Sequence, residues 1–332
     1  MWQVIGQDKI LALLDYSLKS GDIAHAYLLL GPQHVGKKTL AISFAQALNC
    51  DGQGAPCGQC ASCRRIWEGK HSDVISIGLG VRRAISIDDI RELQHLANLP
   101  PYEGKHRVFI IDGAEYLSVE AANALLKILE EPPPKLTWLL LASDDQYLLP
   151  TVVSRCQRLE LRPLPREQMR RFLIESRQVE WSKADLLSRL SQGCLGWALS
   201  ALDGDEWLEQ RCQVVSKLSS LLDTSFAERF DYAQARAVEL EKKHEPAVEL
   251  VNAWFGWWRD LLLTKMNGME SIANIDYQDL LRAQASVLSL VEIREFIGKL
   301  YKMQQGLVNN ANLRLMFEWL MVNMPRKELL HE

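Results

Sequence analysis

No apolar stretch of the 332-residue sequence approaches the roughly 20 residues that a membrane-crossing helix needs, so a helical membrane protein is not expected. No basic cluster leads into an apolar segment at Met1-Trp2-Gln3-Val4, so no export signal is expected and a cytoplasmic location is. Positive charge is not in excess: 38 Lys and Arg stand against 42 Asp and Glu, a formal charge of -4. Such a chain does not coat nucleic acid by bulk electrostatics, and any DNA contact must come from a local patch or through partners. Nothing in the composition, 48% apolar and 24% charged, favours disorder, and the length allows two or three domains. Without an export signal the seven Cys are not expected to form disulfides, and four of them crowd between positions 50 and 63.

The apolar run His25 to Leu30 reads as a strand that delivers the chain into Gly31-Pro32-Gln33-His34-Val35-Gly36-Lys37-Lys38-Thr39, followed by a helix carrying Leu40, Ile42, Phe44, Ala45 and Leu48. Strand, glycine turn and helix are the context of a phosphate-binding loop, in which the glycines open backbone N–H groups to phosphate, Lys reaches the outer phosphates and a following hydroxyl holds Mg²⁺. Here Gly31, Gly36 and Lys37 are in place, Lys38 stands where the hydroxyl belongs, and Thr39 lies one residue, about 100° of helix, out of register. An ammonium about 4 Å from Mg²⁺ is opposed by roughly 4 kcal/mol per unit charge pair. Lys38 is therefore expected either to swing away or to take over the metal's electrostatic role. A second apolar run, Val108 to Asp112, ends in a carboxylate suited to the same site, but Gly113 follows where hydrolysing enzymes carry a water-polarising Glu. Glu115 is expected to point elsewhere.

Further strands are expected at 73–77, 138–142 and 157–162, alternating with helices capped by Asp8, Asp88 and Ser118. That alternation predicts a three-layer α/β domain over residues 1–162, with Pro163 and Pro165 at its boundary. Cys50, Cys57, Cys60 and Cys63 include two C-x-x-C steps, each placing two sulfurs on one side of a tight bend, and together they can close a tetrahedron on Zn²⁺. With no His or carboxylate in the set, the site would be closed and structural. Cys156, Cys194 and Cys212 read as small buried residues. From residue 205 onward the spacing predicts long helices, among them 251–265 and 291–307, on which Trp254, Trp257 and Trp258 read as core or subunit contacts rather than a ligand cage.

Val4-Ile5-Gly6-Gln7, His25-Ala26-Tyr27, the four-Cys insert, Ile110-Ile111-Asp112, the run Asn123 to Pro132 and Ser154-Arg155-Cys156 together resemble the AAA+ clamp-loader subunits of bacterial DNA polymerase III. The likeness continues more thinly at Trp258-Arg259-Asp260 and at Asn310-Ala311-Asn312-Leu313-Arg314. It implies a P-loop domain, a small three-helix lid over residues 163–204, with Ser182 and Asp185 as an acidic capping box and Gly193 ending a helix, and a helical collar over 205–332 through which a hetero-pentameric ring forms. It also implies work on a sliding clamp and on primer-template DNA, and association with the nucleoid during replication. The lid of this family brings an Arg to the phosphates, and Gly193 to Ala198 contains none.

By the resemblance, Arg155 projects into the nucleotide site of a neighbouring subunit, where a guanidinium stabilises γ-phosphate charge in trans. Six Arg between Ser154 and Arg171 against Glu160 and Glu167 form a local excess that could also meet DNA backbone. Lys38, Gly113 and the missing lid Arg point to a stator that hydrolyses ATP weakly or not at all. Its own loop, Gly31, Gly36, Lys37, Lys38 and Thr39 with Asp112, is left able at most to hold ATP or ADP. Nucleotidyl transfer would belong to the complex and not to this chain. The alternatives are a motor subunit of the same loader and an independent zinc-dependent DNA-binding module.

Overall fold

The computed structural model describes residues 2–52, 54–80, 84–204, 206–243, 247–308 and 311–326. Asp205, at the expected collar boundary, and Asn310 of the tail motif lie outside the described residues. Contacts divide the chain into two compact units, Met1–Pro165 with Gly193–Trp197, and Arg166–Gln192 with Ala198–Glu332. The stretch 163–204 is thus shared between them.

The first unit is built on five parallel strands, β1 (Ala26–Leu30), β2 (Val74–Gly78), β3 (Arg107–Asp112), β4 (Leu136–Ala142) and β5 (Gln157–Glu160), in the order β2-β3-β4-β1-β5. All of β1 and β4 is buried, as near-continuous apolar runs require when both faces of a sheet are covered. Alternation along the strands sorts the two cores. Leu28, Leu30, Phe109, Ile111, Trp138 and Leu140 pack with Ile90 and Leu93 of α4 (Ile87–Ala97) and Leu125 and Ile128 of α5 (Val119–Glu130). Tyr27, Leu29, Val108, Ile110 and Leu139 face the other way, onto Leu14 of α1 (Asp8–Ser20), Leu40 and Phe44 of α2 (Lys37–Leu48) and Ile66 of α3 (Ala61–Trp67). The short α6 (Pro150–Val153) leads into β5.

Ser118 caps α5 as expected, its side chain accepting from the Ala121 amide. Two other caps differ. Gln7, not Asp8, precedes α1, because the Gln7 amide bridges to the Arg162 carbonyl at 2.7 Å and fixes the chain before the helix begins. Ser86, not Asp88, caps α4, in a reciprocal box with Asp89 that satisfies two otherwise orphaned amides.

In the second unit α7 (Arg166–Arg177) packs on α8 (Trp181–Leu190), and α9 (Leu195–Ser200) is followed by α10 (Glu206–Ser220), α11 (Phe226–Lys243), α12 (Ala247–Lys265), α13 (Gln278–Val287), α14 (Leu290–Val308) and α15 (Leu313–Val322). Asp185 is no capping residue: α8 starts after Glu180, and the Asp185 carboxylate instead gathers Arg166 (2.7 Å), Arg170 (3.3 Å) and Arg189 (3.0 Å). Helix α12 packs on α13 and α14, and α11 on α15, around Trp254, Trp257, Trp258, Phe296 and Phe317, all buried. The three tryptophans are core. Arg229 is fully buried with no carboxylate paired to it among the described residues, donating to the carbonyls of Leu221, Leu222, Met324 and Pro325. Burial pushes its pKa down to about 10, so it stays protonated, held by carbonyl dipoles.

Candidate functional site

Strand β1 runs into Gly31, and a side chain there would put its Cβ 2.6 Å from the Leu161 carbonyl oxygen, so only glycine allows β5 to lie against the loop. The loop is closed on itself. Lys37 Nζ donates to the carbonyls of Gly31 at 2.5 Å and Pro32 at 2.9 Å, and the Gly196 amide donates to the His34 carbonyl at 2.9 Å. Burial lowers the Lys37 pKa, while the charges of Glu115 and Asp112 act in the opposite sense.

Beside the loop a cavity of about 490 Å³ opens at the carboxyl ends of β2, β3 and β4, where ligands of open parallel sheets bind. Lys37, Lys38, Gly78, Asp112, Glu115 and Ser143 are among its walls, and Thr39 is not. The Lys38 ammonium lies 3.2 Å from Asp112 Oδ2. The Lys38 side chain thus turns toward the carboxylate and meets it. Gly113 adopts φ 84°, and a Cβ there would come within 2.8 Å of the Tyr116 ring, so this backbone resists the missing glutamate. Glu115 does not point away. Its Oε1 accepts from the Ser143 amide (3.0 Å) and hydroxyl (2.7 Å), and its Oε2 is buried with no hydrogen-bond partner among the described residues. A short helical turn, Ala114–Tyr116, swings it into the cavity, and i+3 spacing from Asp112 gave no hint of that turn.

Arg155 follows α6 at the surface. Its Nη2 meets Glu130 Oε1 at 2.5 Å and its Nη1 donates to the Thr151 carbonyl at 2.9 Å. Of the other arginines in the local excess, Arg158 pairs with Asp145, and Arg166 and Arg170 with Asp185. Arg162 and Arg171 remain exposed. A basic stripe for DNA is thereby much reduced.

The four cysteines converge. Their Sγ atoms all lie within 4.8 Å of one another, with Cys57 and Cys63 at 3.9 Å, close to the roughly 3.8 Å edge of a tetrahedron with about 2.3 Å Zn–S bonds. The amides of Cys60 and Gln59 point at Cys57 Sγ from 3.3 and 3.4 Å, and the amide of Cys63 at Cys60 Sγ from 3.4 Å. Hydrogen bonds from the Cys60 and Gln59 amides bring the Cys57 thiol down to about 6, whereas burial pushes Cys63 up to about 12. Donor set and spacing fit zinc, which would be held by Cys50, Cys57, Cys60 and Cys63 and would supply folding energy, not reactivity. Purified chain should carry one zinc per chain by elemental analysis, and Cys63→Ser should lose it together with protection of the 50–63 amides in hydrogen exchange. Of the remaining thiols, Cys156 and Cys194 are half-buried, and Cys212 is exposed, contrary to a reading of small buried residues. Its helix, α10, turns that position to solvent.

A buried ion pair was not foreseen. Asp73 and Arg107 meet at 2.8 Å, and Asp73 also accepts from the amides of Tyr102, Glu103 and Gly104. Arg107 further donates to the carbonyls of Leu96, Leu99 and Pro100, so the pair ties the turn before β3 to β2 and α4. Asn49 Oδ1, next to Cys50, accepts from the amides of Lys105 and His106 in the same turn.

A family profile described as DNA polymerase III, delta subunit, matches residues 6–165. The tau subunit of Bacillus subtilis DNA polymerase III is 30% identical over 95% of this chain and 59% of its own length, and the tau subunit of Escherichia coli is 38% identical over 60% and 32%. The chain thus spans under two thirds of these relatives. The delta' subunit of B. subtilis is 27% identical, with 95% of both chains covered. In fold, the chain resembles a gamma subunit-related protein of Thermotoga maritima, with a TM-score of 0.53 over 95% of this chain and 99% of that one at 19% identity. Among the described residues no helix is long and apolar enough to cross a membrane. With its five-stranded parallel sheet and glycine loop, the profile match over its first unit and relatives that run along nearly its whole length, the chain is similar to subunits of DNA polymerase III, tau and delta' among them.

Proposed function

We propose that this chain is a delta'-type stator: it takes a fixed place in a hetero-pentameric loader, does not hydrolyse ATP itself, and presents Arg155 to the ATP held by a neighbour. The observation that carries this reading is Gly113, whose φ of 84° and contact with Tyr116 leave no room for the glutamate that would polarise an attacking water. Glu115, the carboxylate nearest in sequence, is bound to Ser143 instead. Residues 1–162 would be the AAA+ domain, 163–204 its lid and 205–332 the collar that joins the ring, with Zn²⁺ on the four cysteines as a structural ion. The other loader subunits are the direct partners, and the sliding clamp and primer-template DNA are met through the assembly. The rival reading, an ATP-hydrolysing tau-like motor, draws on the intact Gly31, Gly36 and Lys37.

ATP hydrolysis by the isolated chain, measured with Mg²⁺ present, separates the two. No turnover above buffer is expected; a rate in the ordinary range of about 1 s⁻¹ or more would refute the stator reading.

A further inference from the structure

We propose that Lys38 is a built-in replacement for the divalent cation, so that this loop accepts phosphate groups only without metal; this rests on the reading of residues 31–39 as a degenerate phosphate loop. In a hydrolytic loop the metal lies between the hydroxyl that follows the Lys and the carboxylate at the end of the neighbouring strand. In this chain the same two positions are Lys38 and Asp112, and they meet directly, Nζ to Oδ2 at 3.2 Å. The ammonium supplies positive charge on the carboxylate where the ion would sit: the hydroxyl is absent, and Asp112 Oδ2 is engaged. Thr39 does not substitute, since it is not among the residues lining the cavity.

The geometry has a second effect. A bound metal joins the start of the loop helix to the strand end only while nucleotide is present. Lys38 makes a connection between α2 and β3 without nucleotide, by side chains of the chain itself. Lys37 adds to this by donating to Gly31 and Pro32 within the loop. These contacts favour the nucleotide-free arrangement of the loop. The ligand class that remains is a metal-free polyphosphate, such as the diphosphate of ADP, read by the loop amides and one cation.

The test compares the wild-type chain with Lys38→Thr, which removes the ammonium and installs the missing hydroxyl. Lys38 is exposed, so the variant should fold, and unchanged circular dichroism checks that. ADP is titrated calorimetrically in Mg²⁺ and in EDTA, and Mn²⁺ with ADP is followed by its paramagnetic resonance signal. Wild-type chain is expected to bind ADP in EDTA, to bind it more weakly in Mg²⁺ and to bind no Mn²⁺; no ADP binding in either buffer overturns the inference. Lys38→Thr is expected to bind ADP at least about tenfold more tightly with Mg²⁺ than with EDTA and to take up one Mn²⁺. Wild-type Mn²⁺ uptake, or a wild-type affinity raised about tenfold by Mg²⁺, overturns the inference. So does a folded Lys38→Thr chain that gains nothing from metal. Metal uptake with ADP is independent of turnover and of Arg155. A stator reading that fails on hydrolysis or on Arg155 is thus told apart from a failure here.

Discussion

Arg155→Ala is expected to slow ATP turnover at the neighbouring subunit's site by about 10³-fold or more, the usual worth of an arginine supplied in trans. The measurement is DNA- and clamp-stimulated hydrolysis by a reconstituted loader whose other ATP sites have been inactivated. Arg155 sits at the surface with a third of its side chain accessible, 34%, and its partner Glu130 is more exposed, at 51%. An exposed pair of this kind contributes at most roughly 1 kcal/mol, so leaving Glu130 for a γ-phosphate costs little, and removing the side chain should leave the fold intact. Arg155→Lys keeps the charge and loses the planar fork that can serve two phosphate oxygens, and should recover only a small part of the rate. Unchanged turnover in Arg155→Ala would remove the residue from the mechanism, whatever the chain contributes to the ring.

Arg107→Ala should destabilise the first unit by about 3–5 kcal/mol, because it leaves Asp73 charged and buried without its counter-ion. Urea unfolding followed by hydrogen exchange of the β3 amides resolves this unit from the helical one, which a single global transition would not. The same pair gives a pH signature. Burial alone would raise the Asp73 pKa, but Arg107 and the amides of Tyr102, Glu103 and Gly104 outweigh it and bring the carboxyl from an ordinary 3.8 to about 2. A group whose folded pKa is depressed contributes stability that is whole above the unfolded value and fades as pH falls through the folded one. Roughly 2 kcal/mol should therefore disappear between about pH 4 and pH 2, and Asp73→Asn should flatten that part of the profile. A variant as stable as wild type at pH 7 would show that the amides alone satisfy the carboxylate.

What could be read from the sequence was whatever is local. The run Ala26 to Leu30 shows as a strand by its own apolar composition, and the glycines that bound the loop and the four cysteines show by their spacing within a short stretch, wherever their partners lie. Asp73 and Arg107 are 34 residues apart and come together only because β2 and β3 pair side by side in the sheet. Asp185 was misread for the same reason: its spacing from Ser182 suggested a cap, while its actual partners include Arg166 and Arg170 on the preceding helix. Glu115 is the subtler case, since one turn of helix between Ala114 and Tyr116 decides whether it faces solvent or the cavity. Lys38 could be recognised as an anomaly from its position, but its contact with Asp112 depended on the fold.

Helix α2 begins at Lys37 and ends at Leu48, two residues before Cys50. Its 12 residues span about 18 Å, and from Leu40 to Leu48 it is buried against the sheet almost without interruption. The loop at 31–36 and the four-cysteine cluster consequently lie at the two ends of one rod. Close-packed interiors pass strain on rather than absorbing it. A displacement of the cysteine cluster would be carried in part along α2 toward Lys37 and Lys38, which makes the cluster a handle on the loop as well as a fastening for the chain.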